Sequence, residues 1–482
     1  MSVPSPEFQT LLFCVMLSPL LGCFFTFLKR KGLNRRFFYA LVLALPIFNI
    51  SALLYLGAYE QAILVGPFFC FSLDRFSLFF CLLVNLALFL TTIYTSGYLR
   101  YNFEAKRYHF HFFLFLATAT SIATGVAGNL ATVFFFYLLS IPCVAPLILL
   151  RGTERSLYVA KVYWRTVLTP PLVLLFLLLV LTPDLRFFLM PFQELAITKL
   201  GFNHWQASLL LVLLILGFSK NSVAPFHFWL PMTSLAPAPV SALIHTAGII
   251  QAPVLVLLKV CRYIYGHDYL IFLNTEFFYT GWLLYLCGGT ALYAAYRAYR
   301  TQDIKERFSF STVSQLSYII SAVLLGSKQA MIGAELHMIS HAVAKMNLFF
   351  IAGIFATLCN ASKTFELARF APHYRPLIFA FGVSGLSIAG VPLFAGFLSK
   401  DMILLEGVHQ NHYAVAVFLL VGSFINILYI YPILKAGLFG KKIEGYTARV
   451  IPWSMKLAVL ACLLLTLTFS QYVNRLIEIF AP

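Results

Sequence analysis

The sequence is poor in charged residues, and carboxylates are the scarcest of them. Only 11% of its 482 residues are charged, and 17 acidic residues stand against 34 lysines and arginines. Hydrophobic residues make up 61% of the chain, with a mean hydropathy of +0.87. Soluble globular domains carry about 25% charged residues. This composition therefore excludes an ordinary soluble enzyme and predicts an integral membrane protein with the lipid bilayer as its surroundings.

The excess of basic residues does not indicate a nucleic-acid partner. The net charge is +17, but the lysines and arginines fall in short loops between apolar runs and do not line one exposed face. No basic n-region precedes the first apolar run, so we expect no cleaved signal peptide. We accordingly predict no binding of nucleic acid.

The nine cysteines are scattered, without a Cys-x-x-Cys pair or a histidine at metal-ligand spacing. This pattern favours buried apolar fillers over a disulfide framework or an iron–sulfur site. The chain also lacks a recognisable nucleotide, flavin or quinone signature. We predict no cofactor, no metal, and no redox or hydrolytic site in this chain.

Long apolar runs follow one another along the chain. About 20 helical residues at 1.5 Å rise cross a hydrocarbon core of about 30 Å. The runs predict an all-α polytopic membrane protein, one membrane domain over residues 1–482, with about fourteen transmembrane helices. We place them near 8–28, 37–58, 73–97, 109–127, 129–150, 158–182, 207–230, 238–262, 271–297, 308–326, 330–357, 376–400, 412–435 and 453–478.

Basic clusters alternate with loops that hold only isolated basic residues. The clusters include 29–36, 297–307, 363–375 and 435–449. Short cytoplasmic loops of membrane proteins are enriched in lysine and arginine. We therefore expect these clusters in the cytoplasm and both termini outside, in a multi-pass protein of the cell inner (plasma) membrane.

One apolar span, 207–230, carries Lys220 and is interrupted by Pro225 and Pro231. A proline inside a helix removes an amide donor and frees a carbonyl, and in a bilayer such breaks usually line a cavity. An ammonium group at this depth is costly unless it is paired or hydrated, which makes Lys220 a candidate functional residue. The alternative is a lysine that snorkels from a helix end. The next span contains His245.

The span 330–357 places His337, His341 and Lys345 at successive i, i+4 steps. This spacing puts them on one helix face, about 6 Å apart per step. Three titratable groups in a row can pass protons through intervening waters. A metal site is an alternative for the two histidines, but no third ligand is evident. Side chains that only bond neighbouring carbonyls are the structural alternative, which three aligned groups make less attractive.

A second interrupted span, 376–400, contains Pro392 and ends at Lys400, next to Asp401. A proline and a lone lysine again lie close together, so the two spans are candidates for equivalent parts of an internal repeat. The alternative is a lysine at the membrane edge that pairs with its neighbour. Between these spans Lys305 lies in a charged segment, which alone would pass for an ordinary loop.

These motifs together resemble the antiporter-like membrane subunits of respiratory complex I, Mrp sodium/proton antiporters and membrane-bound hydrogenases. The matching segments are Lys220 with APFHFWLP and PAPVSALIH, QDIKERFSFSTVSQLSY, the row His337, His341 and Lys345, and AGVPLFAGFLSKD. They occur in the family's order between about 71 and about 404. The sequence around His245 is most similar to that of the large complex I antiporter subunit, although this chain ends without the long lateral helix of that subunit.

The resemblance implies a fold and a set of roles. It implies two inverted five-helix repeats, 109–262 and 271–435, each with one broken helix, around a central hydrophilic axis. The matched positions make Lys220 and Lys400 the broken-helix lysines and His245 the central proton-relay position. His337, His341 and Lys345 would link the two halves, and Lys305 matches a family lysine near the connection.

One position departs from the family. Relatives have a glutamate in the fifth helix that pairs with the first broken-helix lysine, and here Tyr137 and Leu138 stand at that place. The chain has no carboxylate between Glu104 and Glu154, so helices four and five cannot replace it. Lys220 therefore needs another counterpart, stays neutral or no longer takes part in pumping.

Three functions are open at this point. The first is a proton-conducting subunit of a larger ion-translocating complex, in which partner subunits would carry any redox chemistry. The second is the membrane subunit of a two-component, proton-driven inorganic carbon uptake system, whose partner is a large zinc-containing, carbonic-anhydrase-like protein. The third is a degenerate structural subunit that moves no ions.

Overall fold

The structure, a computed structural model, describes residues 5–57, 59–102, 106–181, 186–246 and 248–480. Nearly all of this part of the chain is helical, with one short β-hairpin. The α-helices are α1 Pro6–Arg30, α2 Arg35–Leu56, α3 Arg75–Tyr101, α4 Arg107–Gly125, α5 Leu130–Ile148, α6 Glu154–Leu181, α7 Arg186–Leu189, α8 His204–Gly217, α9 Trp229–Met232, α10 Ala238–Thr246, α11 Gln251–Lys259, α12 His267–Thr275, α13 Trp282–Arg300, α14 Ile304–Leu325, α15 Lys328–Leu358, α16 Thr364–Phe370, α17 Arg375–Ala389, α18 Ala395–His409, α19 Tyr413–Phe439 and α20 Trp453–Phe480. The strands are β1 Tyr59–Val65 and β2 Phe69–Leu73.

The predicted all-α, multi-pass architecture is confirmed. Within the described ranges, ten helices are long and apolar enough to cross a membrane, and eleven if the bent pair His267–Thr275 and Phe278–Arg300 is one span. The other three predicted spans correspond to α4, α8 and α17 with α18, which are short helices of 19, 14, 15 and 15 residues. The total of fourteen crossings stays a prediction.

The chain divides into two compact units, each made of separate segments. Unit 1 contains Met1–Phe89, Ala105–Asn221 and Ala247–Leu283. Unit 2 contains Leu90–Glu104, Ser222–Thr246 and Leu284–Pro482. The inverted relationship between 109–262 and 271–435 is a separate matter and stays a prediction.

In unit 1, helices α1, α2 and α4–α6 pack in a chain of neighbouring pairs. A buried polar ladder joins the first three helices. The Ser18 hydroxyl donates to Asn49 Oδ1 at 2.7 Å, and Asn49 Nδ2 donates to Asn85 Oδ1 at 2.8 Å. Hydrogen bonds between helices stabilise helix packing in a bilayer, where the hydrophobic effect contributes little because lipid chains are as apolar as leucine side chains.

The β-hairpin lies against the connection between α4 and α5. Strands β1 and β2 are antiparallel, with Ile63 opposite Phe71 and a register irregularity between Tyr59 and Ala62. The Ser72 amide donates to the Val126 carbonyl at 2.8 Å, which continues the pairing beyond β2. Part of the hairpin backbone is thereby satisfied by protein, as backbone in a low-dielectric surrounding requires.

Helix α15 is the centre of unit 2. It runs without a break for 31 residues and contacts α10, α14, α17, α18 and α20. The most apolar stretches of α14 and α15 are 100% and 94% buried inside the protein, whereas those of α19 and α20 are 39% and 28% buried. Helices α14 and α15, which carry buried polar and charged residues, are thus surrounded by other helices. Polar groups that face lipid would be costly.

Both spans that were predicted to break are interrupted. Helix α8 ends at Gly217, and the following backbone is a short 3₁₀ turn and irregular structure up to α9. Pro225 lies in this irregular segment, so the interruption starts before the proline. Pro231 lies in the first turn of α9, where a missing amide costs little because helix-start amides have no partner within the helix.

The second interruption separates α17 from α18. Helix α17 ends with Gly390 in a left-handed conformation (φ +79°), and α18 begins at Ala395. Pro392 lies between the two helices. A Cβ on Gly390 would lie 2.9 Å from Lys400 Cδ, so glycine is needed both for the backbone conformation and for the close approach of this lysine.

We expect Asn49→Ala to lower the free energy of unfolding by about 1 to 2 kcal/mol, because it removes two buried interhelical hydrogen bonds and leaves Asn85 without this partner. Thermal unfolding of the full-length protein in detergent measures the change. The control is Ser51→Ala, on the exposed side of the same helix. Equal melting of the two variants would show that the ladder does not stabilise unit 1.

Candidate functional site

Lys400 is bound by groups that the second interruption provides. Its Nζ donates to the Ile388 carbonyl at 2.7 Å and to the Ser423 hydroxyl at 2.9 Å, and the residue is 3% exposed. Ile388 lies in the last turn of α17, whose carbonyls have no amide partner within the helix. The interruption therefore supplies the acceptor for a buried ammonium group.

Asp401 is not the partner of Lys400. Among the described residues, no ion pair joins the two side chains, and Lys400 is buried whereas Asp401 is partly exposed. The interpretation of Lys400 as an edge lysine paired with its neighbour is therefore not what the structure shows. The side chain of Lys400 is instead bound inside unit 2, by the Ile388 carbonyl and the Ser423 hydroxyl.

The three aligned groups of α15 are all buried and contact different neighbouring helices. The ring nitrogens of His337 lie 2.9 Å from Ser399 Oγ and 3.1 Å from Gln315 Oε1. Lys345 Nζ donates to the Phe308 carbonyl at 2.8 Å. The row therefore connects to α18 at one end and to α14 along its length. Ser399 is adjacent in sequence to Lys400, so one hydroxyl separates the His337 ring from the residue that carries the broken-helix amine.

His341 lies between these two residues and has a different surrounding. Its ring is stacked on that of His337, with centroids 6.3 Å apart and planes 18° apart. It is 2% exposed, and neither ring nitrogen has a hydrogen-bond partner within the described part of the chain. Buried polar groups in native proteins bond to protein or to ordered water. Both nitrogens are thus without a hydrogen-bond partner in the described residues, unlike those of His337.

His245 in α10 reaches the same region of unit 2. Its Nε2 lies 3.1 Å from Ser309 Oγ, and its ring is stacked on Phe349 at 4.9 Å. The Ser309 hydroxyl donates to the Lys305 carbonyl at 2.8 Å, so it accepts a hydrogen bond from His245. We assign the proton of neutral His245 to Nε2 on this basis, which leaves Nδ1 as an acceptor.

Lys305 is buried and is not part of a solvated loop. Its Nζ donates to the carbonyls of Ser234 and Ala236 at 2.6 and 2.7 Å. These carbonyls precede α10, so Lys305 connects α14 with the start of the helix that carries His245. Sequence analysis did not single out Arg307, which is 4% exposed and donates to the Tyr429 carbonyl at 2.9 Å.

Six of the seven candidate residues belong to unit 2, and Lys220 belongs to unit 1. His341 is close enough to interact electrostatically with several of the others, which are His245, His337, Lys345 and Lys400. The described structure thus brings these five together as one cluster, which we call the α15 cluster. Lys305 adjoins it through Ser309.

Lys220 contacts Tyr137, which precedes Leu138, the residue that the motif match aligns with the glutamate implied by the resemblance. Its Nζ lies 4.4 Å from the centroid of the Tyr137 ring and donates to the Ser140 hydroxyl, and its own amide donates to the Tyr137 hydroxyl at 3.3 Å. Lys220 and Tyr137 are each 1% exposed. The amine therefore has a cation–π contact and a hydroxyl acceptor, both from α5.

Sequence analysis also missed a buried ion pair in unit 1. Lys259 Nζ lies 3.5 Å from Asp74 Oδ2 and donates to the carbonyls of Gly125 and Ala127 at 3.0 Å each. Both side chains are 1% exposed. The signal was present, because Lys259 is a cation inside the apolar span 238–262, but 185 residues of sequence separate it from Asp74.

Metal ligands do not cluster in the part of the chain that the structure describes. No group of three or more histidine, cysteine, aspartate or glutamate side chains there could hold a metal ion. His337 and His341 lie one helical turn apart, and the ring nitrogens of His337 contact Ser399 and Gln315.

The arrangement of buried amines and imidazoles agrees with a family match. Residues 127–426, more than half of the chain, match the family described as NADH:quinone oxidoreductase/Mrp antiporter, TM. The chain belongs to this family. The resemblance inferred from the motifs is therefore confirmed, and the matched range contains every candidate residue named above except Asp74.

Relatives in this family are moderately similar over less than half of the chain. A protein of Rhizobium meliloti (strain 1021), the A/B component of a probable K(+)/H(+) antiporter, is 36% identical over 214 residues, which are 43% of this chain and 20% of that protein. NADH-ubiquinone oxidoreductase chain 5 of Lumbricus terrestris is 31% identical over 211 residues, 44% of this chain and 34% of that protein. The chain thus spans only about a fifth to a third of these relatives in the matched regions.

The fold is shared over nearly the whole chain. One chain of the membrane-bound sulfane sulfur reductase (MBS), an archaeal respiratory membrane complex, superposes with a TM-score of 0.81 at 17% identity, covering 97% of this chain and 96% of that one. At this identity the likeness concerns the fold alone. It shows that the shared fold extends beyond residues 127–426.

We expect Lys259→Met to lower the free energy of unfolding by about 3 to 5 kcal/mol, because it leaves the Asp74 carboxylate buried without its cation. The double variant Lys259→Met/Asp74→Asn should recover part of this loss, since asparagine can still accept the Ser77 amide that Asp74 caps at 2.8 Å. Denaturation midpoints of the full chain in detergent give the comparison.

Lys161→Met, an exposed lysine of α6 in the same unit, serves as the control and should change stability little. If the double variant is no more stable than Lys259→Met, the pair is not an interacting unit.

Proposed function

We propose that this chain is a proton-conducting subunit of a larger membrane complex and that protons pass along the α15 cluster. The observation that carries the proposal is the row of buried titratable groups on one unbroken helix, with contacts to α10, α14 and α18. Titratable side chains inside a bilayer are costly, so three of them aligned on one helix indicate a function. The family includes antiporter proteins, which supports the same reading.

The contacts suggest an order for proton movement. Lys400 is preceded by Ser399, whose hydroxyl lies 2.9 Å from the His337 ring. His341 is stacked on His337, and its two nitrogens have no hydrogen-bond partner in the described part of the chain. Water bonded to these nitrogens would link His337 to Lys345 and His245, because imidazole can take a proton on one nitrogen and release one from the other.

The amines of the cluster are held by neutral acceptors. Lys345 donates to one carbonyl, and Lys400 donates to one carbonyl and one hydroxyl. No carboxylate within the described residues forms an ion pair with either amine. A proton can therefore leave Lys345 or Lys400 without stranding a buried carboxylate, which would otherwise oppose its departure.

Lys220 retains a counterpart despite the missing glutamate. The face of the Tyr137 ring and the Ser140 hydroxyl both favour a charged amine, but more weakly than a carboxylate in the same place. We propose that Lys220 takes part in proton transfer in unit 1 with this neutral partner. Of the three options open from the sequence, these contacts support a different counterpart for the amine.

The setting of the protein belongs to the proposal as well. We propose a plasma-membrane location with both termini outside, on the basis of the basic clusters in alternate loops. Other membrane subunits would supply the energy source, because this chain carries no recognisable redox signature. The chain that shares its fold comes from a respiratory membrane complex, which supports assembly with partners.

The two rival functions have less support. The relatives named above are antiporter and respiratory proteins, so inorganic carbon uptake with a zinc-containing, carbonic-anhydrase-like partner is not favoured. Co-purification of such a partner with the tagged chain would favour it. The degenerate structural subunit conflicts with the six buried titratable residues retained in unit 2.

We expect His341→Ala to reduce proton flux at least about tenfold, because a positioned proton-transfer group typically contributes about 10²-fold or more. The complex purified with its native partners is reconstituted in liposomes, and internal pH is followed after a pH jump. The matched control is His409→Ala, an exposed histidine of α18 whose side chain is 69% accessible. Equal flux in wild type and His341→Ala would remove the α15 cluster from the pathway.

Substitutions at Tyr137 test the neutral partner of Lys220. Tyr137→Phe keeps the ring and should leave flux within about twofold, whereas Tyr137→Leu should reduce it by about fivefold to thirtyfold through loss of the cation–π contact. Leu138→Glu introduces a carboxylate at the residue that the motif match aligns with the relatives' glutamate, and it should give flux at least equal to that of Tyr137→Leu. Identical flux in all three variants, measured in the same liposome assay, would show that Lys220 does not depend on this ring.

A further inference from the structure

A groove in unit 2 lies away from the α15 cluster. Its volume is about 610 Å³, within the range of ligand-binding pockets, about 300–1,000 Å³. The first turns of α17 and α20 and the segment between α19 and α20 form its walls. None of the candidate residues discussed above lines it.

The groove has an apolar wall. Leu377, Phe379, Leu460 and Leu463 contribute to this wall. Phe379 is 56% exposed and Leu460 is 47% exposed. Exposed side chains of this kind on membrane-spanning helices face hydrocarbon, so an acyl chain is a natural neighbour.

One end of the groove is basic. Arg449 and Lys456 line it, and both are exposed. Segment 435–456 as a whole has five basic residues and a single acid, Glu444. Trp453, which starts α20, is 74% exposed, and tryptophan is enriched at the level of lipid headgroups. The basic end therefore lies at the depth where phosphate groups occur.

The basic end is also held in place. The Tyr374 hydroxyl accepts a hydrogen bond from the Arg449 amide at 3.0 Å and lies 3.3 Å from the Arg449 carbonyl. His373 Nε2 accepts from the Ile443 amide at 2.8 Å. The backbone that carries Arg449 is thus fixed by neighbours from the start of α17, which reduces the entropy lost when its side chain binds an anion.

From the charge and the shape of this groove we propose that it binds an anionic phospholipid. The phosphate lies between Arg449 and Lys456, and one acyl chain follows the apolar wall past Leu377 and Leu460. Cationic side chains suit the phosphate, and apolar side chains suit the chain. The basic segment is one of the clusters expected on the cytoplasmic side, where anionic lipids are enriched. The proposal does not depend on proton conduction.

The test compares lipid retention by the full-length protein with and without its partners. Native mass spectrometry in detergent measures bound phosphatidylglycerol and phosphatidylcholine with the same acyl chains. Two basic groups contribute about fivefold each to binding of an anionic surface. We therefore expect at least about a tenfold preference for phosphatidylglycerol, lost in Arg449→Gln/Lys456→Gln and kept in the matched control Lys441→Gln/Lys442→Gln, from the same segment but outside the groove.

Four results would overturn the proposal in whole or in part. The first is equal retention of the two lipids by the wild type, and the second is an equal loss in the control variant. The third is crosslinking of Leu460→Cys to another protein chain in the purified complex, since a partner or a second copy would then occupy the groove. Glycerol 3-phosphate is added as a competitor, and displacement of the lipid by it at equal concentration would also overturn the role of the apolar wall.

Discussion

An ammonium group buried among apolar helices must find acceptors in the protein, and this requirement explains much of the structure. Lys305, Lys345 and Lys400 each donate to main-chain carbonyls. A continuous helix uses nearly all of its carbonyls internally, so carbonyls near helix ends are the cheapest acceptors. The interruption between α17 and α18 supplies one such group to Lys400. The second interruption and the burial of Lys400 thus depend on each other.

The buried cations fall into two kinds according to their partners. Lys259 has a carboxylate, Asp74, and two carbonyls, a combination that fixes the charge and suits a structural role. Within the described residues, the amines of the α15 cluster donate to carbonyl and hydroxyl oxygens and form no ion pair. The scarcity of acids in the composition therefore distinguishes the ion-paired Lys259 from the residues of the proposed proton pathway.

Sequence reasoning predicted the features that depend on local spacing. The row on α15 follows directly from i, i+4 periodicity, and the interrupted spans follow from proline and glycine. It did not predict contacts between distant segments, such as Lys259 with Asp74 or Lys220 above Tyr137, because nothing in a single sequence brings such positions together. The burial of Lys305 was also hidden, since its partners are main-chain carbonyls that carry no sequence signal. The place where α8 ends, well before Pro225, depends on packing in the same way.

The unbroken course of α15 constrains how the proposed proton pathway could be interrupted. A helix of 31 residues is about 46 Å long at 1.5 Å per residue, and it has no hinge between its histidines and Lys345. These side chains cannot separate by local backbone bending. Interruption of the pathway must come from rotamer changes, from a shift in hydration, or from sliding or rotation of the entire rod. A movement of the last kind would displace all three groups together, so that one mechanical event at either end of the rod would be felt along its full length.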